Sequence, residues 1–312
     1  MEKPQYIGQL LYIKPTMIVS VPEFDTPRNY FSAARISNHH NLRKNSHESK
    51  LSEKAQKRIK NAINWLIVSA KEKSVYQKST GKRFNFKVNL VTLTLPDTAS
   101  EIKEREFKTN LMHPFLVYMK KYYGLKNYVW KLEFQKNGKL HIHITTDSFI
   151  HYDVLRHYWN SLLKKHGYLD EFIKNHKHDN PNSTDVHSVW KVKNLGAYIA
   201  KYMSKNEETP QKIKGRIWGC NYELSDKNKC ILGINRDDCA IELRQLMNKE
   251  IKYKAVEYLD SLSNTVRTSA EIFFIELEQW KTYLRGKIRE AYDSHRFKIR
   301  NNLVTQTLDY QI

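Results

Sequence analysis

The stretch "YVWKLEFQKNGKLHIHITTD", residues 128–147, decides the fold, because two alternating runs flank a turn signal at residues 136–138. Alternation of apolar and polar residues with a period of two predicts β-strands that each have one buried and one polar face. On the second strand, the alternation sends His141 and His143 to the polar face. The segment is therefore predicted to be a β-hairpin that carries two imidazoles side by side.

The length of the hairpin loop sets which residues lie opposite each other. A two-residue Asn-Gly turn would put the apolar residues of the first strand on the histidine face. A three-residue loop with Gly138 in the left-handed conformation instead pairs Glu133 with His141, so that Glu133, His141 and His143 share one face. The opposite face then collects the apolar residues Trp130, Leu132, Phe134, Leu140, Ile142 and Ile144. Binary patterning alone thus predicts a carboxylate beside two imidazoles.

Two imidazole nitrogens and one carboxylate can hold a divalent cation and leave coordination positions free for substrate oxygens. This ligand set and the oxygens of a phosphate are compatible with Mg²⁺ or Mn²⁺, and the sequence does not choose between them. The alternative for Glu133, His141 and His143 is a polar surface without a metal. A second His-x-His pair, His176 and His178, lies in a polar stretch without strand periodicity, and we expect it to be exposed to solvent.

The predicted elements around the hairpin follow the order β-α-β-β-α-β-α. Strands are predicted in "FKVNLVTLTLPD" (86–97) and "DVHSVWKV" (185–192), and helices after the first strand, in "DVLRHYWNSLLKKHG" (153–167) and in "NLGAYIAKYMSK" (194–205). This order is the ferredoxin-like split βαβ plan with one added helix. It predicts an α+β fold, in which helices cover one face of an antiparallel sheet and the other face is open to substrate.

Three regions are expected along the chain: an N-terminal arm and basic helix at 1–82, a core at 83–222 and a mainly helical C-terminal region at 223–312. Apolar residues recur at helical spacing between 51 and 73. The first turns of this helix carry Lys54, Lys57, Arg58 and Lys60. These four residues are candidates for contact with DNA phosphates, and the alternative is a solvated charged face.

The composition indicates a nucleic-acid partner. The 312-residue chain carries 53 Lys and Arg against 33 Asp and Glu, a formal net charge of +20, and its isoelectric point is near 9.6. Such an imbalance suits a polyanion. The hydrophobic content of 40% supports a packed core and argues against disorder.

Other features narrow the class further. The cysteines Cys220, Cys230 and Cys239 form no C-x-x-C pair, so neither a disulfide framework nor a thiolate zinc site is indicated. The first 24 residues interrupt their apolar runs with Pro, Gln and Lys, so we expect no signal peptide, no membrane anchor and a cytoplasmic location. No G-x-x-x-x-G-K-S/T stretch occurs, so an ATP-driven motor within this sequence is not indicated.

The last helix of the predicted core carries two tyrosines on one face. In "AYIAKYMSK", Tyr198 and Tyr202 lie four residues apart, and Lys201 and Lys205 each follow a tyrosine by three residues. A phenol has an ordinary pKa of about 10, so it needs nearby positive charge and a polarised electrophile to act as a nucleophile. The alternative is an aromatic pair packed on the sheet, but a basic chain with a metal-like strand favours a nucleophile.

These segments together resemble the HUH endonucleases. "VTLTLP" (91–96) resembles their first motif, "HIHI" (141–144) their metal motif and "YIAKYMSK" (198–205) the two-tyrosine form of their third motif. "GRIWG" (215–219) resembles a segment that often follows the tyrosines. Within this superfamily, the resemblance is to the rolling-circle replication initiators of small single-stranded DNA phages and plasmids, and it covers about residues 85–220.

The resemblance implies a metal-dependent, site-specific nickase that recognises an origin hairpin or single strand. A tyrosine of such an enzyme attacks one phosphodiester, keeps a 5′-phosphotyrosine link and frees a 3′-OH that primes synthesis. The implied metal ligands are His141 and His143, with Glu133 as the third. The implied catalytic residues are Tyr198 and Tyr202 as nucleophiles and Lys201 and Lys205 on phosphate charge, while Thr92 and Thr94 belong to the DNA-binding first motif.

The implied partners are single-stranded or origin DNA and, in the cytoplasm of a bacterial host cell, a host helicase and a host DNA polymerase. The oligomeric state and the order in which the tyrosines act stay open. A transposase or plasmid relaxase would share the chemistry. A two-histidine RNA phosphodiesterase or ligase would need a second His-x-Thr element, which only residues 47–49 approximate. A non-catalytic binder of single-stranded nucleic acid is the alternative of another class.

Overall fold

The computed structural model describes residues 5–25, 50–77, 81–99, 102–135, 137–189, 195–204, 213, 215–225, 229–247, 251–260, 265–275 and 283–301. The strands in these ranges are β1 (Gln5–Ile13), β2 (Met17–Asp25), β3 (Lys73–Gln77), β4 (Lys82–Phe86), β5 (Val88–Thr94), β6 (Tyr128–Phe134), β7 (Leu140–Thr146), β8 (Thr184–Val189), β9 (Trp218–Cys220), β10 (Cys230–Ile234), β11 (Lys252–Asp260) and β12 (Thr265–Phe274). The α-helices are α1 (Glu53–Ser69), α2 (Glu104–Glu106), α3 (His113–Tyr123), α4 (Tyr152–Lys165), α5 (Asp170–His176), α6 (Leu195–Ser204), α7 (Arg236–Met247) and α8 (Gly286–Asn301).

Two short turns complete the described elements. A π-helical turn, Phe107–Met112, joins α2 to α3, and a 3-10 turn, Tyr222–Leu224, follows β9. Pro114 lies in the first turn of α3, where its missing N–H breaks no helical hydrogen bond. Every helix in the described residues is too short or too polar to cross a lipid bilayer.

The chain divides into two compact units. The larger unit contains residues 47–227 and 298–312, and the smaller unit contains residues 1–46 and 228–297. The basic helix α1 therefore belongs to the same unit as the predicted core at 83–222.

The sheet of the larger unit has the strand order β8-β5-β7-β6-β9, and all neighbouring pairs are antiparallel. Four of these strands, with α3 and α4 as the intervening helices, reproduce the ferredoxin-like order, and β9 extends the sheet beside β6. The α+β class and the predicted β-α-β-β-α-β-α order are confirmed. The β3–β4 hairpin and the short helix α5 are additions to that plan.

Aromatic side chains join the helices to one face of this sheet. Phe107, Phe115 and Trp159 are almost fully buried, and the rings of Phe115 and Trp159 meet edge to face at 5.7 Å. The indole Nε1 of Trp159 donates a hydrogen bond to the carbonyl of Thr94 at 2.8 Å, so the indole satisfies its one donor while its ring stays in the core. Helix α4 is thereby tied to the end of β5.

The opposite, histidine-bearing face is covered at one end, and the expectation that it would be open throughout is wrong. Val129 and Thr145 lie on this face and are fully buried. Helix α1 buries an apolar stripe and contacts both β6 and α6, because such a stripe must be removed from water. At Gly196 of α6, an added Cβ would lie 2.5 Å from Asn64 Oδ1, so the missing side chain permits the close approach of α1.

The smaller unit contains strands where helix was expected. Its sheet has the order β10-β1-β2-β12-β11 with antiparallel neighbours, and α7 and α8 are the described helices in the expected helical region. The expectation of a mainly helical segment at 223–312 is wrong for β11 and β12. Their β-branched and aromatic residues pair across the hairpin, as where the rings of Tyr253 and Phe273 meet at 5.3 Å.

Candidate metal centre

The β6–β7 hairpin has the register that its binary pattern predicts. Glu133 lies opposite His141, and the backbone N–H of Gln135 donates to the carbonyl of Lys139 at 2.8 Å. Gly138 has a φ of 79°, the left-handed conformation that the three-residue loop requires. The prediction that Glu133, His141 and His143 share one face is therefore confirmed.

The three side chains converge on one point. Glu133 Oε1 lies 2.9 Å from His141 Nε2 and 2.8 Å from His143 Nε2. One ligand atom from each residue lies within 4.8 Å of the other two, and the imidazole rings are 4.4 Å apart at an angle of 71°. These residues form the one cluster of three or more potential His, Cys, Asp or Glu ligands within the described part of the chain.

The donor set and its spacing fit a divalent cation. Octahedral bonds of about 2.1 Å place neighbouring ligand atoms about 3 Å apart, close to the separations found here. Thr92 Oγ1 lies 2.9 Å from His143 Nδ1 and fixes the orientation of that ring. When this Nδ1 is the donor, Nε2 presents a lone pair toward Glu133, and a positive species must lie between them. The side chains present thus fit a metal ion, and their chemistry does not distinguish Mg²⁺ from Mn²⁺.

The Glu133 carboxyl is held in its charged form. Burial raises the pKa of Glu133, but hydrogen bonds from His141 and His143 and the charge of Lys131 outweigh this effect and lower the pKa well below its ordinary value. A carboxylate that stays ionised across the physiological pH range is a permanent ligand for a cation.

Lys131 belongs to the site although the candidate residues chosen from the sequence do not include it. Its residue is 3% exposed, and its ammonium forms an ion pair with Glu133 Oε2. It lies opposite His143 in the β6–β7 register. The signal was present in the sequence, because strand alternation puts Lys131 on the same face as Glu133.

The tyrosine helix α6 approaches the same face through Lys131. Lys131 Nζ lies 3.5 Å from the backbone carbonyl of Tyr202, in the last turn of α6, where the helix dipole favours a cation. Tyr198 and Tyr202 are 40% and 57% exposed, and their rings are 5.1 Å apart. Lys201 is also exposed, whereas Lys205 lies outside the described residues.

The remaining candidate residues have separate places. Thr94 follows Thr92 on the same face of β5, and its hydroxyl donates to the carbonyl of Ser183 at 3.2 Å. The first turns of α1 expose the basic candidates Lys54, Lys57, Arg58 and Lys60. His176 and His178 are exposed, and their rings lie 6.1 Å apart beside Phe172 and not at a cluster of ligands.

Metal binding can be tested on the histidine strand. We expect Mn²⁺ to bind the unaltered protein and to raise its thermal midpoint, because a ligand that binds the folded state at 100 times its Kd stabilises it by about 2.7 kcal/mol. The substitution His141→Ala removes one ligand and should abolish both effects in calorimetric titration and thermal melting. His176→Ala is the matched control and should leave both unchanged. Equal Mn²⁺ affinity for His141→Ala and the unaltered protein would show that the metal is held elsewhere.

Comparison with known proteins adds a family to this geometry. Residues 88–207 match the family model of the replication-associated protein ORF2, a segment that runs from β5 past the end of α6. A search of curated proteins found no match, and a search of solved structures found none. The matched segment contains the candidate metal ligands and both tyrosines, and it supports a replication initiator of the Rep type.

Proposed function

We propose that this protein is a rolling-circle replication initiator of the two-tyrosine HUH type, which nicks and rejoins single-stranded origin DNA with Mg²⁺ or Mn²⁺. The observation that carries the proposal is the position of Lys131. Its ammonium contacts both the carboxylate of Glu133 and the carbonyl of Tyr202, so a metal-ligand cluster and a tyrosine pair meet on one sheet face. The family match over residues 88–207 supports the same role.

The reaction follows from this arrangement. When bound, the divalent cation supplies positive charge that polarises the scissile phosphate. The phenol oxygen of a tyrosine attacks phosphorus, the bond between phosphorus and the 3′ oxygen breaks, and a 5′-phosphotyrosine forms. The departing 3′ oxygen takes up a proton and becomes a free 3′-OH. Lys201 and Lys205 act on the phosphate charge, and Thr92 and Thr94 belong to the surface that binds DNA.

The two tyrosines are not equivalent. A hydrogen bond with Tyr202, together with the charge of its phenolate form, raises the pKa of Tyr198. Tyr198 is thus the donor of the pair, and its hydroxyl can stabilise negative charge on Tyr202. Tyr202 also lies on the turn of α6 that contacts Lys131. We therefore assign the first attack to Tyr202 and the second, joining reaction to Tyr198.

A covalent adduct tests the nucleophile. The protein incubated with single-stranded origin DNA and Mn²⁺ should give a protein–DNA adduct that survives denaturing electrophoresis and disappears with chelator. Tyr202→Phe removes the attacking oxygen and should abolish the first adduct, while Tyr198→Phe should still form it. Tyr76→Phe, an exposed tyrosine on β3, is the matched control. Absence of any adduct would favour the non-catalytic single-strand binder.

Lys131 is proposed as a positioning residue that sets α6 against the metal centre. Lys131→Met keeps the length of the side chain but removes both polar contacts, so we expect adduct formation to fall about 100-fold, the effect of misplacing a nucleophile by about 1 Å. Because the metal ligands remain, Mn²⁺ should still bind in a calorimetric titration. Lys174→Met, at an exposed site on α5, should retain full activity. Unchanged adduct formation by a folded Lys131→Met protein would contradict this role.

The basic residues of α1 are proposed to contact duplex phosphates beside the nick site. Replacing Lys54, Lys57, Arg58 and Lys60 with Gln should reduce the slope of log affinity against log salt by about 0.9 for each phosphate that the variant no longer neutralises. Fluorescence anisotropy with an origin duplex at several salt concentrations measures this slope. An unchanged slope would assign these charges to solvent.

The biological setting is proposed on the same basis. Strand separation and extension of the freed 3′-OH fall to a host helicase and a host DNA polymerase in the cytoplasm of a bacterial cell. A transposase or plasmid relaxase uses the same chemistry on other DNA. Nicking assays on a replication origin and on a transposon end or transfer origin separate these uses.

A further inference from the structure

A group of four tyrosines lies on the outer side of α3 and α4. We call this group the tyrosine patch: Tyr118, Tyr122, Tyr123 and Tyr158. The rings of Tyr118 and Tyr158 stack at 3.7 Å with 9° between their planes. Tyr122 and Tyr123 lie 4.7 Å and 5.9 Å from the Tyr118 ring. The patch is therefore one continuous aromatic surface built from two helices.

Part of this surface faces solvent. Tyr122 is 54% exposed and Tyr123 is 40% exposed, while Tyr118 and Tyr158 are half-buried beneath them. Partial burial raises the pKa of Tyr118 and of Tyr158, and neighbouring tyrosines add to the rise. These two phenols stay neutral, so they add no negative charge to the patch.

Positive charge surrounds the patch. Lys121 Nζ lies 4.9 Å from the centre of the Tyr122 ring, and its neighbour Lys120 is exposed on the same helix. Arg156 of α4 lies over the ring of Tyr152 at 5.4 Å. Helix α3 carries no acidic residue, and the Asp153 carboxylate of α4 lies 3.3 Å from His151. The charge of the patch is therefore complementary to an anion.

The patch and the metal centre lie on opposite sides of the sheet. Phe115 of α3 and Leu155 of α4 line a small cavity together with Val91 and Ile144 of the sheet. These two sheet residues point away from the histidine face, because each alternates with the residues that face the metal ligands. A strand bound at the patch would thus be separated from the nicking site by the sheet and one layer of helices.

We propose that the tyrosine patch is a second binding site for single-stranded nucleic acid, in which bases stack on Tyr122 and Tyr123 and Lys120 and Lys121 contact phosphates. Exposed aromatic rings beside cations are the common design of sequence-independent single-strand sites. Protein interfaces are also rich in tyrosine, but they are depleted of lysine. The paired lysines therefore favour nucleic acid over a protein partner.

The site would hold DNA independently of the chemistry. The proposal needs neither the metal ions nor the catalytic tyrosines, so it stands apart from the proposed nicking reaction. In a replication initiator, such a site can retain a stretch of single strand on the side of the sheet away from the cleavage point.

Binding measured without metal tests the proposal. A fluorescein-labelled oligo(dT) is titrated with the full-length protein in the presence of EDTA, and anisotropy reports its Kd. We expect the double substitution Tyr122→Ala with Tyr123→Ala to weaken binding about tenfold, because each base stacked on an aromatic ring contributes about this much or more. Tyr76→Ala and Tyr222→Ala, at two other exposed tyrosines, are the matched controls and should bind as the unaltered protein does.

Cross-linking shows where the strand lies. Oligonucleotides that carry 5-bromodeoxyuridine should photocross-link to α3 of the unaltered protein at Tyr122 or Tyr123, as mapped by mass spectrometry. The Lys120→Gln and Lys121→Gln pair should reduce both the affinity and its salt dependence while the protein melts at its normal temperature. An unchanged Kd in the folded tyrosine variant, or cross-links that map only outside α3 and α4, would overturn the proposal, and a protein partner would then be the occupant of the patch.

Discussion

The site depends on the balance of charge around one carboxylate. Glu133 lies between two imidazoles and the buried ammonium of Lys131. Burying an isolated ammonium costs several kcal/mol, so Lys131 can be 3% exposed only because Glu133 compensates its charge. The same carboxylate orients His141 and His143. A single side chain thus stabilises the strand that carries it and brings together the atoms that can hold a cation.

A rigid sheet makes this arrangement reproducible. The ligands stand on adjacent antiparallel strands, and a third strand supplies Thr92 to orient one ring. Sites on paired strands are held more closely than sites on loops, because the backbone hydrogen bonds restrict each Cα position. The reactive helix is separate from this scaffold and reaches it through Lys131, so rigidity of the metal ligands is combined with an adjustable position of the tyrosines. The helices behind the sheet leave their outer surfaces for other contacts.

Sequence reasoning succeeded where one period dominated. In the hairpin of β6 and β7, strict alternation and a glycine turn leave one register that buries every apolar residue, and the structure has that register. It failed for β11 and β12, where "KYKAVEYLD" (252–260) places its apolar residues at spacings that fit a helix face as well as a strand. The deciding factor there is the partner strand, which local pattern does not contain.

The sequence by itself determined which residues share a face, because side-chain direction along a strand or helix depends only on local geometry. Glu133, His141 and His143 were therefore predictable as a group, and so was the pairing of Tyr198 with Tyr202. The tertiary structure alone decided that these two groups meet. The contact between Lys131 and Tyr202 joins residues 71 positions apart, and it exists because α1 and α6 pack over part of the histidine face. Such packing follows from the burial of apolar surface by several elements together, which no single segment specifies.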